Sequence, residues 1–246
     1  MIVRELREGL ALFDQQEHAR LSGEMARAWG RPPFAAVPEE VVVAARVHDD
    51  GWPEWDRHPR LDPRSGRPHD YTATPPDDYL EVWERGVERG WSRGDLAGLL
   101  VSLHGCRFFR RKKRPPERAF LLRERRRQAG ALARLGLGAT GTGLLPEPVG
   151  SWHEWLYFWD GLSLFLCHGW PSPWRSGVES SAGTRQMVAR RSGKGAVLSP
   201  FPFSREVRLE ARARLVPERQ YPDQAALDHA LDSAKERTFT YTLAAG

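Results

Sequence analysis

The chain has 246 residues and a net charge of +5, and its hydrophobic share of 40% is enough for one sizeable core. Two cysteines exclude a small domain built on disulfides, and the longest apolar run, residues 155–167, is too short and contains an aspartate, which excludes a membrane span. The charged start MIVRELREG lacks the apolar core of a signal peptide, so we expect a cytoplasmic protein.

The first half of the chain predicts a β-hairpin followed by four helices. Residues 1–13 contain two short apolar strands separated by a turn at Arg7-Glu8-Gly9. Capping signals and apolar residues at helical spacing then predict helices over residues 14–29, 38–51, 77–90 and 92–105. The intervening residues 51–76 are rich in Pro, Asp and Gly, and loops of this length in a compact domain are often functional.

The second half predicts two more long helices and then a change to strands. A helix over about 117–135 follows a basic stretch, and the helix over 152–167 is apolar on nearly every side, so we expect it to be central. Residues 169–195 are rich in Gly, Ser, Pro and Arg and predict a loop. Alternating apolar residues predict strands over 197–203, 207–215 and 238–243, with a short helix near 223–234.

These elements predict an α+β fold in one domain that spans residues 1–246. A helical body over about 14–168 forms most of that domain. Because an isolated hairpin is only marginally stable, we expect residues 1–13 and the C-terminal strands over 197–243 to share a sheet. The expected architecture is therefore a mainly helical bundle with a small antiparallel sheet.

Five polar residues occupy helix positions that are otherwise apolar, namely His18, His48, Asp49, His104 and Asp160. Asp160 is the most informative, because an unpaired buried carboxylate is very costly and must be ion-paired, protonated or bound to a metal. An arginine partner would satisfy it, and so would a metal ion whose remaining ligands are histidines. Taken alone, His18 could be a partly exposed helix residue and His104 an ordinary core histidine, and a second His-Asp pair occurs at His69-Asp70.

The order of these residues, His, His-Asp, His and Asp on different helices, resembles the HD superfamily of helical metal-dependent phosphohydrolases. The resemblance implies that a divalent metal is bound by four residues, His18, His48, Asp49 and Asp160. It implies that His104 is a further ligand or a phosphate contact. It also implies that the helical body is an HD-like bundle.

Six longer motifs resemble an uncharacterised bacterial family, the domain of unknown function 3891. They are MIVR at 1–4, Q-x-x-H-A at 15–19, AWG at 28–30, HDDGW-x-x-W at 48–55, LLVSLHG at 99–105 and WDGLSLFLC at 159–167. All five candidate metal ligands lie in these motifs. The family has no established activity, so this resemblance strengthens the site and leaves the reaction open.

The leading functional prediction is metal-dependent hydrolysis of a phosphate ester or anhydride. A divalent transition metal (Mn, Fe, Zn or Ni) would activate a water molecule and polarise the phosphoryl oxygen. Asp50 is the predicted general base, and Arg107 and Arg110 are predicted to hold the phosphate. Trp52 either walls the substrate pocket or pins the loop to the core. The alternatives are an HD-like di-iron oxygenase and a binding or sensor protein without turnover.

The basic stretch at residues 107–127 holds eleven Lys and Arg residues and two Glu residues. One interpretation is a solvated face or flexible loop. The other is attraction of a polyanion, either a phosphorylated small molecule such as a nucleotide or a nucleic acid. We favour the first interpretation. Within the second we favour the phosphorylated small molecule, because no nucleic-acid-binding motif accompanies the stretch.

Overall fold

The computed structural model describes residues 1–138 and 145–246, in which helices pack against one large sheet. The helices are α1 (Gln15–Ala28), α2 (Glu39–Val47), α3 (Pro53–Asp56), α4 (Pro76–Trp91), α5 (Asp95–Phe109), α6 (Pro115–Arg134), α7 (Val149–His168) and α8 (Gln224–Asp232). The strands are β1 (Ile2–Leu6), β2 (Gly9–Phe13), β3 (Leu61–Asp62), β4 (Arg67–Pro68), β5 (Trp174–Val178), β6 (Arg185–Ser192), β7 (Gly195–Ser199), β8 (Val207–Val216) and β9 (Lys235–Ala245).

The large sheet has seven strands in the order β1-β2-β8-β9-β7-β6-β5, and it is curled into a half-barrel. Adjacent strands of this sheet are antiparallel, except β7 and β9, which are parallel to each other. The longest pairing joins β8 and β9, from Val207 opposite Leu243 to Leu215 opposite Lys235. The short strands β3 and β4 form a separate ribbon inside the predicted loop at 51–76.

The prediction of a mainly helical, HD-like bundle with a small sheet is wrong. Helices account for 46% of the chain and strands for 23%, and this strand share is that of an ordinary mixed domain. The error lies mainly at residues 169–195, where the predicted loop contains β5 and β6. In β6 only Met187 and Ala189 are buried, and arginines surround them, so the alternating apolar pattern of a strand is too short to recognise.

The N-terminal hairpin is confirmed, and it joins the same sheet as the C-terminal strands. Residues Ile2–Leu6 pair with Gly9–Phe13, and Leu10 of β2 then lies opposite Val216 of β8. All five residues of β2 are buried, which makes this strand part of the core instead of a surface hairpin. The sheet therefore continues from the first strand of the chain to its C-terminal strands.

The apolar helix α7 is central, as its sequence predicts. It contacts α1 and α5 on one side and strands β1 and β5 on the other. Its large side chains Phe158, Trp159 and Phe165 are fully buried. Among residues 1–138 and 145–246, no helix combines the length and apolar character needed to cross a membrane.

The HDDGW segment follows α2 as a tight turn that is held against α4. Helix α2 ends at Val47, and the amide of Trp52 then donates to the carbonyl of Asp49 at 3.2 Å. A β-carbon on Gly51 would overlap the carbonyl oxygen of Val82 and would lie 2.8 Å from the amide nitrogen of Gly86. A glycine is therefore required at position 51 for the close approach of α4. Helix α2 ends before this glycine.

We predict that Gly51→Ala lowers the free energy of unfolding by about 3 kcal/mol, because the new methyl group must displace the backbone of α4. Urea denaturation followed by circular dichroism measures this loss. Gly138→Ala is the control, since a methyl group added there would have no atom of the described residues within 4 Å, and it should change stability by less than about 1 kcal/mol. Equal stability of the two variants would contradict the close approach.

Candidate metal centre

Four helices bring the five predicted metal ligands together in the interior. His18 comes from the middle of α1, His48 and Asp49 follow α2, His104 comes from α5 and Asp160 from α7. Their exposed fractions are between 0% and 6%. Ligand atoms lie within 4.8 Å of one another in two groups, one of His18, His48 and Asp49 and one of His48, His104 and Asp160.

The distances between these ligand atoms are close to those expected around a single ion. His18 Nε2 lies 2.7 Å from Asp49 Oδ2, and His48 Nε2 lies 3.8 Å from the same oxygen. Asp160 Oδ1 lies 3.6 Å from His48 Nε2, and Asp160 Oδ2 lies 3.5 Å from His104 Nε2. Ligands that bind one ion at roughly 2.0–2.2 Å are separated by about 3–3.5 Å, so a small adjustment accommodates an ion.

Hydrogen bonds orient two of the imidazoles so that their Nε2 atoms face the cluster. His48 Nδ1 donates to the carbonyl of Ala45 at 2.8 Å. The hydroxyl of Ser163 donates to the carbonyl of Asp160 at 2.7 Å, so its oxygen accepts from His18 Nδ1 at 3.0 Å. Nε2 of His48 has no hydrogen-bond partner among the described residues, whereas Nε2 of His18 is hydrogen-bonded to Asp49 Oδ2 at 2.7 Å, a bond that a metal ion would have to replace. A bond at Nδ1 that orients the ring is the usual support of a metal-binding histidine.

His104 is buried with no hydrogen-bond partner on either ring nitrogen in the part of the chain that is described. Its Nε2 atom faces Asp160, and its ring lies 5.1 Å from the ring of His48. Buried polar atoms are rarely left unpaired without a compensating ligand or role. A metal ion in the cluster would give Nε2 of this ring a partner.

The electrostatics of the cluster divide the histidines into two kinds. Burial alone would depress the pKa of His48, but the carboxylates of Asp49 and Asp160 outweigh it and raise that pKa to about 9. Burial disfavours the Asp49 carboxylate, yet His48 and His18 hold its pKa below the ordinary value. Burial, followed by the charge of His48, lowers the pKa of His104 well below 6.5. The cluster thus demands positive charge beside its carboxylates while keeping His104 neutral.

The residues fit one divalent ion. His48 has a single free lone pair and belongs to both groups of ligands, so the two groups describe one centre and not two. The two carboxylates balance a charge of +2 in an interior where a net charge is costly. Three imidazoles and two carboxylates suit Mn, Fe, Ni or Zn, which are the ions expected from the sequence.

The cluster lies at the base of a cleft of about 300 Å³. Four of the candidate ligands line this cleft, together with Gln15 and the exposed Arg175. The walls are mostly aromatic and comprise Trp52, Tyr71, Tyr79, Trp83, Phe108, Tyr157, Trp170 and Trp174. A concave apolar cleft with a few convergent polar groups is the usual form of a small-molecule or catalytic site.

Of the other predicted site residues, only Trp52 lines the cleft. Trp52 lines the cleft and also packs with Trp55 and Val82, so it both walls the pocket and pins the loop. Asp50, the predicted general base, does not line the cleft, and its carboxylate accepts from the side chain of Gln16 at 2.9 Å.

The two predicted phosphate-binding arginines also lie outside the cleft lining. Arg107 bonds Glu154 at 2.9 Å, and its guanidinium lies 3.7 Å from the ring centroid of Tyr157, which does line the cleft. Arg110 is exposed. The cation on the cleft wall is instead Arg175 of β5.

Three residues of the site were missed by the sequence analysis. Ser163 orients His18, and the signal for it was a serine three residues after Asp160 in an apolar helix. Gln15 is 1% exposed, and its amide oxygen is buried without a partner within the described residues, one helical turn before His18. Arg175 had no usable signal, because it lies in the segment predicted as loop.

Comparison with known proteins identifies a family but no activity. The family model described as "Protein of unknown function (DUF3891)" matches residues 1–218, which include every candidate ligand. No curated protein and no solved structure matches the chain. The resemblance to the HD superfamily is not confirmed by these comparisons. The match over most of the sequence shows that the chain belongs to the DUF3891 family.

Proposed function

We propose that this protein is a metal-dependent phosphohydrolase. One observation supports the metal above all others. The buried Nε2 atom of His48 has no hydrogen-bond partner among the described residues, and it faces Asp49 and Asp160 at 3.8 and 3.6 Å. Because Nδ1 of this ring already donates to a carbonyl, Nε2 of the neutral ring points a lone pair at two carboxylates. A proton relieves that repulsion in the metal-free protein, and a metal ion would relieve it in the metal-bound protein.

The cleft supplies what a phosphoryl transfer needs besides the ion. A bound divalent ion would lower the pKa of a water molecule and stabilise charge on the phosphoryl oxygens. Arg175 on the cleft wall is placed to contact the remaining phosphate oxygens, and its side chain has no carboxylate partner within the described residues. The aromatic walls would exclude water and hold an apolar or planar leaving group.

The same geometry favours hydrolysis over the di-iron oxygenase alternative. A two-metal site places its ions about 3.5–4 Å apart, and each ion needs ligands of its own besides any carboxylate that bridges both. Here the two groups of ligands share His48, whose free lone pair can serve only one ion. We also place the protein in the cytoplasm, which fits two cysteines that are both buried and unbonded.

We predict that Asp160→Asn lowers the metal content of the purified protein. Asparagine keeps the shape of the side chain but removes one of the two charges that balance the ion. A chelator should lower the melting temperature of the wild type clearly and that of the variant much less, because metal binding to the folded state adds stability. Elemental analysis and thermal melts with and without EDTA measure both effects.

Asp95→Asn is the matched control for this experiment, since Asp95 is ion-paired with Arg134 at the surface, far from the ligand set. It should retain the metal content and the chelator sensitivity of the wild type. If Asp160→Asn also retains both, Asp160 is not a metal ligand.

The stability of the folded protein should fall with rising pH in the absence of metal and stay nearly constant in its presence. In the metal-free protein the pKa of His48 is raised to about 9, so its proton stabilises the folded state fully below pH 6.5. That contribution, about 3 kcal/mol, is lost as the pH rises from about 6.5 to 9. A metal ion must displace this proton, so the stability that metal adds should grow over the same range.

Urea denaturation at several pH values between about 6.5 and 9, with EDTA or with manganese, measures this prediction. His48→Asn should flatten both trends, because asparagine does not titrate. If the curves with EDTA and with manganese run parallel in the wild type, the ion does not bind at His48.

We predict manganese-dependent hydrolysis within a panel of phosphomonoesters, phosphodiesters and nucleotides. His48→Ala and Asp49→Asn should each reduce the turnover at least about 100-fold, since each removes a ligand. His69→Ala is the control, because His69 belongs to the second His-Asp pair and lies outside the cleft lining. A panel without any turnover that depends on His48 and Asp49 would favour a binding or sensor protein.

A further inference from the structure

Helix α6 carries arginines on two distinct sides, and one side is neutralised. Arg123 lies 3.0 Å from Glu84, Arg127 bonds Glu88, and Arg134 lies 2.6 Å from Asp95. These arginines are four and seven residues apart, which is about one and two helical turns, so they form one row that faces α4 and the start of α5. Carboxylates of the same chain therefore neutralise the charge of these arginines.

A second row on α6 has no such partners. Arg118, Arg125 and Arg126 are exposed, and within the described residues none of them is paired with a carboxylate. Their spacing of i, i+7 and i+8 places them on one side of the helix, around Leu122, which is 54% exposed. This row is a cationic surface that faces solvent.

The loop before α6 extends this surface toward the cleft. Residues 110–113, Arg-Arg-Lys-Lys, are all exposed and likewise lack carboxylate partners in the part of the chain that is described. Lys112 lines a second cleft of about 370 Å³. That cleft shares Tyr71, Tyr79 and Phe108 with the cleft above the metal ligands. A chain of cations thus leads from α6 to aromatic walls beside the candidate centre.

The composition of this surface favours nucleic acid over a membrane. A helix that lies in a bilayer interface inserts a broad apolar face, but the apolar face of α6 is buried through Phe120, Leu121 and Ala131. Leu122 alone cannot replace it. Arginines with free guanidinium groups match phosphate oxygens, and aromatic walls accept unstacked bases of any sequence.

We propose that residues 110–113 together with Arg118, Arg125 and Arg126, the cationic surface, bind single-stranded nucleic acid and lead it to the aromatic cleft. The role of this nucleic acid as a substrate rests on the proposed phosphohydrolase function. The binding itself does not depend on turnover. The seven cations would contact successive backbone phosphates, and the shared tyrosines and Phe108 would stack bases next to the centre.

Fluorescence anisotropy with a labelled oligothymidylate of about 20 nucleotides, in the presence of EDTA, tests the binding. Each phosphate contact adds about 0.7 to the slope of log affinity against log salt, so seven contacts give a slope near −5. Between about 50 and 200 mM salt the wild type should lose about 1000-fold in affinity. The triple variant Arg118→Ala, Arg125→Ala, Arg126→Ala should bind more weakly and lose only about 50-fold.

The matched control is Arg185→Ala, Arg190→Ala, Arg205→Ala, which removes the same charge from exposed arginines of β6 and the β7–β8 connection. It should keep the wild-type slope. Equal slopes in the two triple variants, or no salt-dependent binding by the wild type, would overturn the proposal. Binding to phosphatidylserine vesicles in place of the oligonucleotide would also overturn it and would indicate a membrane surface.

Turnover separates this inference from the proposed function. The triple variant of the cationic surface should hydrolyse bis-p-nitrophenyl phosphate as the wild type does, but it should lose at least about tenfold in kcat/KM for the oligonucleotide. Hydrolysis of the small ester with no such loss would contradict the nucleic-acid substrate and leave the phosphohydrolase intact. Oligonucleotide binding without hydrolysis of either compound would contradict the phosphohydrolase and leave the binding surface.

Discussion

The interior of this protein depends on the compensation of two carboxylates that are almost completely buried. Asp49 and Asp160 are each 6% exposed, and three imidazoles surround them, with no lysine or arginine of the described residues paired with either carboxylate. An arginine would have satisfied one carboxylate by a permanent charge and closed the site. Imidazoles instead leave lone pairs, so the charge must come from protons or from a metal ion. The need for an exchangeable cation makes this cluster a functional candidate and distinguishes it from a structural ion pair.

The rest of the fold holds this cluster in place. Its ligands come from four helices, so the packing of α1, α2, α5 and α7 sets the distances between them. Strands β1 and β5 of the curled sheet contact α7, the helix that carries Asp160. Gly51 lets α4 approach the turn that presents Asp49, and Ser163 fixes the ring of His18. The sheet also contributes Arg175, the cation of the cleft wall.

The ligand set could be predicted from the sequence, but the shape of the cleft could not. A polar residue such as Asp160 stands out because its neighbours along the helix are aromatic and aliphatic, and the helix period places it among them. Several residues that line the cleft come from β5 and from the connection at 51–76, where no periodic pattern exists. The same absence hid β5 and β6, since strands with one or two buried residues resemble a polar loop. Arg107 precedes Phe108, which lines the cleft, but its guanidinium is paired with Glu154 on α7.

The basic stretch shows why a charge count cannot be read directly as a surface charge. Eleven cations occur in residues 107–127, yet four of them are paired with carboxylates of α4, α7 or the start of α6. Paired charges cancel within a few ångströms and add little to the field at a distance, whereas unpaired ones on one helix side add together. The partners are distant in sequence, so only the fold reveals which cations remain. The seven that remain are all exposed, and Lys112 among them lines the cleft beside the candidate centre.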